Sequence, residues 1–416
     1  MRTLIVSDLH LGGRSGTDVL RRPEPRAALL DALADVDRLV LLGDVLELRH
    51  GPPRDALAAA RPFFEDLGRV LAAREIVVCA GNHDHLLVDA WLDERALRAP
   101  EPLGLERRLD AGDGAFSPML ARIAEWASPA RVSVAYPGLW VRPDVYATHG
   151  HYLDCHLTVP TLERLSIAAM SRVLRRPTAA FARVEDYEAV AGPAFAWRDA
   201  VARDADTGDA LDGMATVGAW RALGGGGGGT GGGEAGGPGV RVNAGGHGRT
   251  GGVGGILAGA RRSAVRSLRR RALVAGFPLA VAALNRAGLG PLRADISIGE
   301  LRRAGLLAMG EVAARLDLGD AYVVFGHTHR AGPLPGDRES EWRGRGGARL
   351  VNSGCWTYDS VFVTAAPGES PYWPGTCVLV EDSTPLTAPV LKRLLLDRSR
   401  AELAPARVAA PTPSPV

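Results

Sequence analysis

Five short segments of this chain place residues that bind metals or move protons directly after an apolar run. Their patterns are Asp-x-His, Gly-Asp-x-x-Glu, Gly-Asn-His-Asp, His-Gly and Gly-His-x-His. Carboxylate, imidazole and amide oxygen donors together suit divalent ions such as Mn²⁺, Fe²⁺ or Zn²⁺. The segments therefore predict a metal site, and their chemically active residues are Asp8, His10, Asp44, Glu47, Asn82, His83, Asp84, His149, His327 and His329.

The prediction of a metal site depends on the number of segments. A single polar cluster at a strand end is more often a turn or a helix cap than a ligand set. Five such clusters are different, because the ends of neighbouring strands meet at one edge of a sheet. The candidate ligands also outnumber what one ion can hold, so a carboxylate that bridges two ions is expected.

The apolar runs before the clusters must be the strands that position them. Thr3–Ser7, Leu39–Leu42 and Ile76–Ala80 are predicted to be buried strands. Helical spacing over Arg26–Val36, and a helix that begins at Pro62, separate them. This β-α-β-α-β order predicts a mostly parallel α/β sheet with helices on both faces.

The rest of the chain extends this core and interrupts it once. Residues 85–130 are predicted to be helical. An insertion over 155–318 is predicted to be a helical lid, which includes a helix over Ile298–Leu316 and a glycine tract at about 224–255. A GxGxxG match inside that tract is interpreted as part of a flexible linker. Further strands are expected at Val132–Ala135, Leu139–Val141, Asp144–Ala147, Ala321–Phe325, Leu350–Ser353 and Thr376–Val380.

These elements predict four segments: a first core part over 1–154, the insertion over 155–318, a second core part over 319–395 and a disordered tail over 396–416. Residues 256–284 are basic and then apolar. They are interpreted either as a lid helix with its arginines in solvent or as a helix that lies on a membrane surface.

Composition narrows the class of protein. The chain has 416 residues and a formal net charge of +2, which gives no general argument for nucleic-acid binding. Its four cysteines form no CxxC pair, so free thiols in a reducing compartment are expected. No signal peptide and no membrane-length apolar window are recognised, which predicts a cytoplasmic protein, with peripheral membrane contact as the alternative. The oligomeric state is left open.

The ordered set of motifs resembles the calcineurin-like metallophosphoesterase superfamily, over residues 1 to about 151 and 321 to about 380. The resemblance implies a four-layer α/β/β/α sandwich with a helical insertion, around two divalent metal ions, Mn²⁺ foremost and Fe or Zn as alternatives. Position by position, it implies a first ion held by Asp8, His10, Asp44 and His329, and a second ion held by Asp44, Asn82, His149 and His327.

The resemblance also implies a reaction. A hydroxide that bridges the two ions would attack phosphorus, and His83 would protonate the leaving oxygen while Asp84 orients its ring. The expected reaction is hydrolysis of a phosphodiester or a pyrophosphate rather than of a monoester. A non-catalytic scaffold of the same fold is the other class, and the presence of every ligand position together with His83 argues against it.

Two segments are similar to the branch that contains UDP-2,3-diacylglucosamine pyrophosphohydrolases: Asp8-Leu9-His10-Leu11 and Gly43-Asp44-Val45-Leu46-Glu47. That similarity implies a lipid-linked or nucleotide-sugar-linked pyrophosphate at a membrane surface as an alternative substrate. The chain departs from the branch at His83, where Arg is usual, and in its longer insertion.

Overall fold

The computed structural model describes residues 1–98, 101–112, 116–204, 276–363 and 365–405. The glycine tract, most of the basic and apolar segment, and the tail from residue 406 lie outside these ranges. The strands are β1 (Arg2–Val6), β2 (Arg38–Leu42), β3 (Glu75–Cys79), β4 (Glu106–Asp110), β5 (Arg131–Arg142), β6 (Val145–Thr148), β7 (Tyr322–Phe325), β8 (Arg349–Asn352), β9 (Thr376–Glu381) and β10 (Val390–Arg393).

Most helices lie between these strands or in the predicted insertion. They are α1 (Pro23–Ala32), α2 (Pro53–Leu71), α3 (Asp89–Leu97), α4 (Pro118–Trp126), α5 (Leu162–Val173), α6 (Val184–Asp204), α7 (Ile298–Arg315) and α8 (Arg400–Leu403). Residues 276–286 are also helical. None of the helices in the described ranges is long and apolar enough to cross a bilayer.

The strands form one curled sheet in the order β10-β9-β1-β2-β3-β5-β6-β7-β8, with β4 beside β5. Strand β5 is 12 residues long and belongs to both halves. Its first part pairs with β3 in parallel and its second part pairs with β6 in antiparallel. The sheet is therefore mixed, with parallel pairs within each half and antiparallel pairs at β4, β9 and β10.

Alternate residues of the same strand enter two different cores. In β1, Leu4 and Val6 pack with the helices, whereas Ile5 belongs to a second cluster. That second cluster takes residues from both halves of the sheet, including Val40 of β2 and Val324 of β7. The halves therefore face each other, and helices cover their outer faces. Burial on both faces explains the continuous apolar runs, and the predicted α/β sandwich is confirmed.

Three local predictions were wrong. Helix α2 begins at Pro53 and contains Pro62, because Pro53 suits the first turn and the apolar stripe around Phe63 is buried along the whole helix. Residues 106–110 are a strand, because tertiary pairing with β5 decides their conformation. The two short strands expected between residues 132 and 141 are the single strand β5, which runs through Pro137.

Helix α7, which was predicted, forms the wall above the sheet's second half. The side chain of Ser297 caps its first turn by accepting a hydrogen bond from the Glu300 N–H at 3.2 Å. Helix α7 then packs against β8 and against the short helix His151–Cys155 that follows β6. This packing places one face of α7 beside the loops that follow β6 and β7.

Candidate metal centre

The polar loops after five strands meet at one place. The Asp8 N–H donates to the Gly43 carbonyl at 3.1 Å, and the His10 N–H donates to the Asp44 carbonyl at 2.8 Å. These bonds join the loops after β1 and β2. The loops after β6 and β7 are joined in the same way, because the Gly326 N–H donates to the carbonyl of His149 at 2.9 Å.

Many of the candidate ligands have a left-handed backbone. The φ angles are 56° at Asp8, 45° at His10, 52° at Asp44, 64° at His327 and 56° at His329. Each such conformation costs a non-glycine residue roughly 1–3 kcal/mol, and strain of this kind concentrates at functional sites. The surrounding hydrogen bonds hold these residues in a conformation that turns their side chains toward one another.

Glycine is required where two ligand loops approach closely. Gly43 has a φ of 83°, and a Cβ built there would lie 2.5 Å from the ring of His149. A larger residue would push the loop after β2 away from the loop after β6. The glycine before Asp44 therefore allows two ligand loops to touch.

The first group of ligand atoms contains two facing imidazoles. The Nε2 atoms of His10 and His329 are 3.2 Å apart. Asp8 Oδ1 lies 3.3 Å from His329 Nε2, and Asp44 Oδ2 lies 3.7 Å from His10 Nε2. The residues that the resemblance assigns to one ion thus surround one small space.

The second group shares Asp44 with the first. His149 Nε2 lies 3.3 Å from Asp44 Oδ2 and 3.1 Å from Asn82 Oδ1. His327 Nδ1 lies 2.9 Å from the same Asn82 oxygen. Among the described residues, Asp44 is a carboxylate that lies close to both groups, as expected of a bridging ligand.

In three of the candidate ligand histidines, a hydrogen bond at one ring nitrogen determines that the other nitrogen carries the lone pair. His10 Nδ1 donates to Glu47 at 2.9 Å, His149 Nδ1 donates to the Leu42 carbonyl at 3.0 Å, and His327 Nε2 donates to Asp154 at 3.0 Å. In each neutral ring the other nitrogen then has a lone pair, which points at a second acceptor. A ring nitrogen that faces an acceptor requires a cation there, either a proton on the ring or a metal ion.

The spacing fits divalent metal ions. Two ligand atoms that each lie about 2.1 Å from a shared ion are about 3.0–3.4 Å apart, depending on the coordination angle. Most of the separations above fall in or near that interval. Both groups combine imidazole nitrogen with carboxylate or amide oxygen, which is the donor set that the sequence predicted.

The charges of the site also favour a cation. Burial by itself would raise the pKa of Asp44, but the neighbouring imidazoles, His149 above all, hold it well below its ordinary value. Conversely, burial would lower the pKa of His149, while Asp44 and the other acceptors raise it to about 9. The carboxylates thus remain ionised inside the protein and attract positive charge.

His83 lies beside these groups and lines the cleft above them. Its Nδ1 is 2.9 Å from Glu47 Oε2 and 3.0 Å from Glu47 Oε1. Burial lowers the pKa of His83, whereas Glu47 acts in the opposite direction by favouring the protonated ring. Glu47 therefore orients His83. The sequence pattern included Glu47, three residues after Asp44, but did not predict this role for it.

The role predicted for Asp84 was wrong. Its carboxylate accepts hydrogen bonds from the backbone N–H groups of Gly81, Asp44, Val45 and Leu46, at 2.7–3.3 Å. Burial and the nearby charge of Asp44 raise the pKa of Asp84 to about 6. Asp84 thus ties the loop after β2 to the loop after β3, and the ring of His83 is held by Glu47 instead.

Two further residues lie near the site: Asp154, which was not predicted, and His151, for which the sequence suggested contact with a ligand residue or with a substrate phosphate. Asp154 holds the ring of His327, and no sequence spacing links them, because the contact joins the loops after β6 and β7. His151 is only 2% exposed, and its ring nitrogens have no partner among the described residues. Burial and the nearby His149 lower the pKa of His151, so its ring stays neutral.

A cleft of about 230 Å³ opens over the metal centre. Its floor includes Asp44, Asn82 and His83. Its walls come from the loop after β6, from α7 and from the segments around residues 342 and 372, and the apolar ones include Leu153, Leu157, Leu301, Leu306, Trp342, Phe362 and Tyr372. A substrate in this cleft would meet metal ligands on one side and an apolar wall on the other.

Comparison with known proteins agrees with this geometry. Residues 1–180 match the family described as calcineurin-like phosphoesterase. The match supports the superfamily that the motif order resembles and supports an enzyme that hydrolyses phosphoric esters. It does not identify the UDP-2,3-diacylglucosamine branch. No curated protein matches the chain.

Proposed function

Proceeding from the family match, we propose that this chain hydrolyses phosphodiester or pyrophosphate bonds with two divalent metal ions held at its metal centre. One observation carries the proposal: imidazole lone pairs converge on Asp44 and Asn82, directly beside a histidine that is oriented by Glu47. The first feature suits metal-assisted attack on phosphorus, and the second supplies a proton donor at the same place.

The reacting groups of the chain have separate tasks. Divalent ions bound here would supply Lewis-acid chemistry, by neutralising phosphate oxygens and acidifying water. Asp8, Asp44, Asn82 and the ligand imidazoles would hold those ions. The hydrogen bond from His83 Nδ1 to Glu47 leaves Nε2 as the nitrogen that can face a substrate. In its protonated form, which Glu47 favours, His83 donates the Nε2 proton to the leaving oxygen as the phosphorus–oxygen bond breaks.

Mn²⁺ is the proposed metal, with Fe or Zn as the alternatives. The donor set mixes carboxylate and amide oxygen with imidazole nitrogen, and the described part of the centre has no thiolate ligand. Oxygen-rich sites suit Mn²⁺, whereas imidazole also suits Fe and Zn. Metal analysis of the purified protein, followed by reconstitution with each ion, distinguishes them.

A lipid-linked or nucleotide-sugar-linked pyrophosphate is the second candidate substrate. The apolar wall of the cleft favours it, because Leu301 and Leu306 of α7 face the same space as the metal ligands. A small hydrophilic phosphoester would leave this apolar surface in contact with water. Access to a membrane through residues 256–284 stays a prediction, since most of that segment lies outside the described residues.

The test is hydrolysis of bis(p-nitrophenyl) phosphate by the full chain with Mn²⁺, Fe²⁺ or Zn²⁺, compared with p-nitrophenyl phosphate. We expect metal-dependent turnover and a higher kcat/KM for the diester. A higher kcat/KM for the monoester would contradict the proposed bond type. If no ion supports turnover of either ester, or of a pyrophosphate, a non-catalytic scaffold explains the fold better.

A further inference from the structure

Two arginines line the cleft beside the metal centre and have no part in the chemistry described so far. Arg302 lies on α7, and Arg330 directly follows the ligand His329. They reach the cleft from segments that are separate in the chain. The cleft therefore has positive charge next to the place where a phosphoester would bind.

Both guanidinium groups lie over aromatic rings. Arg302 lies over the Tyr372 ring at 5.1 Å from its centroid, and Arg330 lies over the Trp342 ring at 4.9 Å. Such a cation–π contact restricts the position of a guanidinium but leaves N–H groups available for hydrogen bonds. The arginines are thus oriented before any ligand arrives.

Their hydrogen-bonding capacity is only partly used. Arg330 is 7% exposed, and one of its terminal nitrogens lies 3.2 Å from Asp337. The Nε atoms of Arg330 and Arg302 are buried and have no hydrogen-bond partner in the part of the chain that the structure describes. A buried charged donor without a partner is costly, so these groups need an acceptor from outside.

The acidic side chains that line the cleft walls are already paired. Asp154 accepts from His327 at 3.0 Å, and Glu163 lies 3.0 Å from Arg198. Within the described ranges, Arg302 has no carboxylate within ion-pair distance. Its positive charge is therefore available for an anionic ligand in the cleft.

We propose that Arg302 and Arg330 bind a second anionic group of the substrate, a phosphate or a carboxylate, beyond the phosphorus that is attacked. The inference rests on the proposed function and deepens it. A guanidinium edge matches two oxygens of one such group. The Tyr372 and Trp342 rings behind the arginines, with Leu301 and Leu306 nearby, form the wall for an apolar or aromatic part of the same molecule.

The test compares two ligands that differ by one phosphate. Bis(p-nitrophenyl) phosphate has one anionic group between two aryl groups, and P1,P2-bis(p-nitrophenyl) pyrophosphate has two. We expect R302Q to raise KM for the pyrophosphate about tenfold or more, as expected for a lost hydrogen bond to a charged group, while KM for the diester changes less than about twofold. R330K, which keeps the charge of the buried Arg330 but not its planar edge, should raise the same KM by a smaller factor.

Arg303 provides the matched control. It is the next residue on α7, is exposed, and pairs with Glu300 at 2.8 Å outside the cleft, so R303Q should leave both KM values unchanged. A phosphodiester with a carboxylate on a benzyl group, measured in parallel, distinguishes a phosphate from a carboxylate as the second anionic group.

Binding is also measured by calorimetry on the full chain, so that the result does not depend on turnover. Weaker binding of the pyrophosphate to R302Q, with unchanged binding of the diester, supports the proposal. Equal changes for both ligands, or no change, overturn it. Absence of turnover by the wild-type protein, with the binding difference intact, would count against the proposed function and not against this subsite.

Discussion

Two buried clusters of histidine and carboxylate lie close together in this protein, and they differ in how their charges are matched. One is the candidate metal centre. The other, here called the His85 cluster, consists of His85, Asp89, Tyr136, Tyr152 and Glu188. Both combine buried histidine with carboxylates, so the presence of these residue types does not distinguish them.

The arrangement of the imidazoles does distinguish them. Both ring nitrogens of His85 face acceptors: Nδ1 contacts Asp89, and Nε2 lies 3.0 Å from the Tyr136 hydroxyl and 3.6 Å from Glu188. Burial would lower the pKa of His85, but Asp89 and Glu188 raise it to about 10. The protonated ring of His85 therefore has an acceptor of its own cluster at each nitrogen, whereas in the metal centre the Nε2 atoms of His10 and His329 face each other at 3.2 Å.

The difference teaches how a metal site can be separated from a structural cluster. A group that is complete by itself stabilises the fold, and the His85 cluster joins α6 to the core in this way. A group with converging lone pairs and strained ligand backbones is complete only with cations. Each prediction below tests this contrast.

The largest effect is expected for D44N. Loss of the carboxylate shared by both ligand groups should remove bound metal and lower kcat/KM by at least about a thousandfold. Metal content is measured by elemental analysis and folding by circular dichroism. D89N in the His85 cluster is the matched change, and it should keep its metal. Loss of bound metal from D89N would contradict the distinction between the metal centre and the His85 cluster.

E188Q should act on stability instead. Removing one partner of a buried, protonated histidine costs about 3 kcal/mol of unfolding free energy. Because the folded pKa of His85, about 10, lies above its unfolded value, its stabilising contribution is complete below about pH 6.5 and is lost as the pH rises toward about 10. E188Q should weaken this decline.

Denaturant unfolding at pH 6, 8 and 10 measures both quantities, with the exposed E125Q as the control. Metal content should be unchanged in E188Q. The interpretation of the His85 cluster as structural is wrong if E188Q unfolds with the wild-type free energy at pH 6.

H83A should slow the reaction without removing metal. Loss of a general acid lowers kcat by about a hundredfold for a poor leaving group such as phenol. The effect should be much smaller for p-nitrophenol, which leaves without a proton. Steady-state kinetics with the two aryl esters tests this, and an equal loss for both leaving groups would falsify the proton-donor role.

Metal removal should produce the smallest change, a loss of unfolding free energy. At a free ion concentration ten times its dissociation constant, binding stabilises the protein by about 1.4 kcal/mol, which a chelator would abolish. If the two clusters are independent, the wild-type protein and E188Q should lose the same increment. Thermal unfolding with and without chelator measures it, and unequal losses would show that the clusters are coupled.

Much of the fold was readable from the sequence, because strands buried on both faces require continuous apolar runs. The runs before Asp8, Asp44 and Asn82 located β1, β2 and β3. What failed depended on distant partners: β4 is a strand because β5 pairs with it, and Pro62 remains inside α2 because the apolar face of that helix is buried.

At the site, the sequence by itself determined which residue types follow which strands, and therefore the candidate ligands and the proton donor. Only the tertiary structure decided their partners. Left-handed loop backbones turn side chains in directions that spacing does not predict, so Glu47 rather than Asp84 holds His83. Arg302 lines the cleft because α7 packs beside the ligand loops. Local sequence patterns do not predict this contact, because it joins segments that are far apart in the chain.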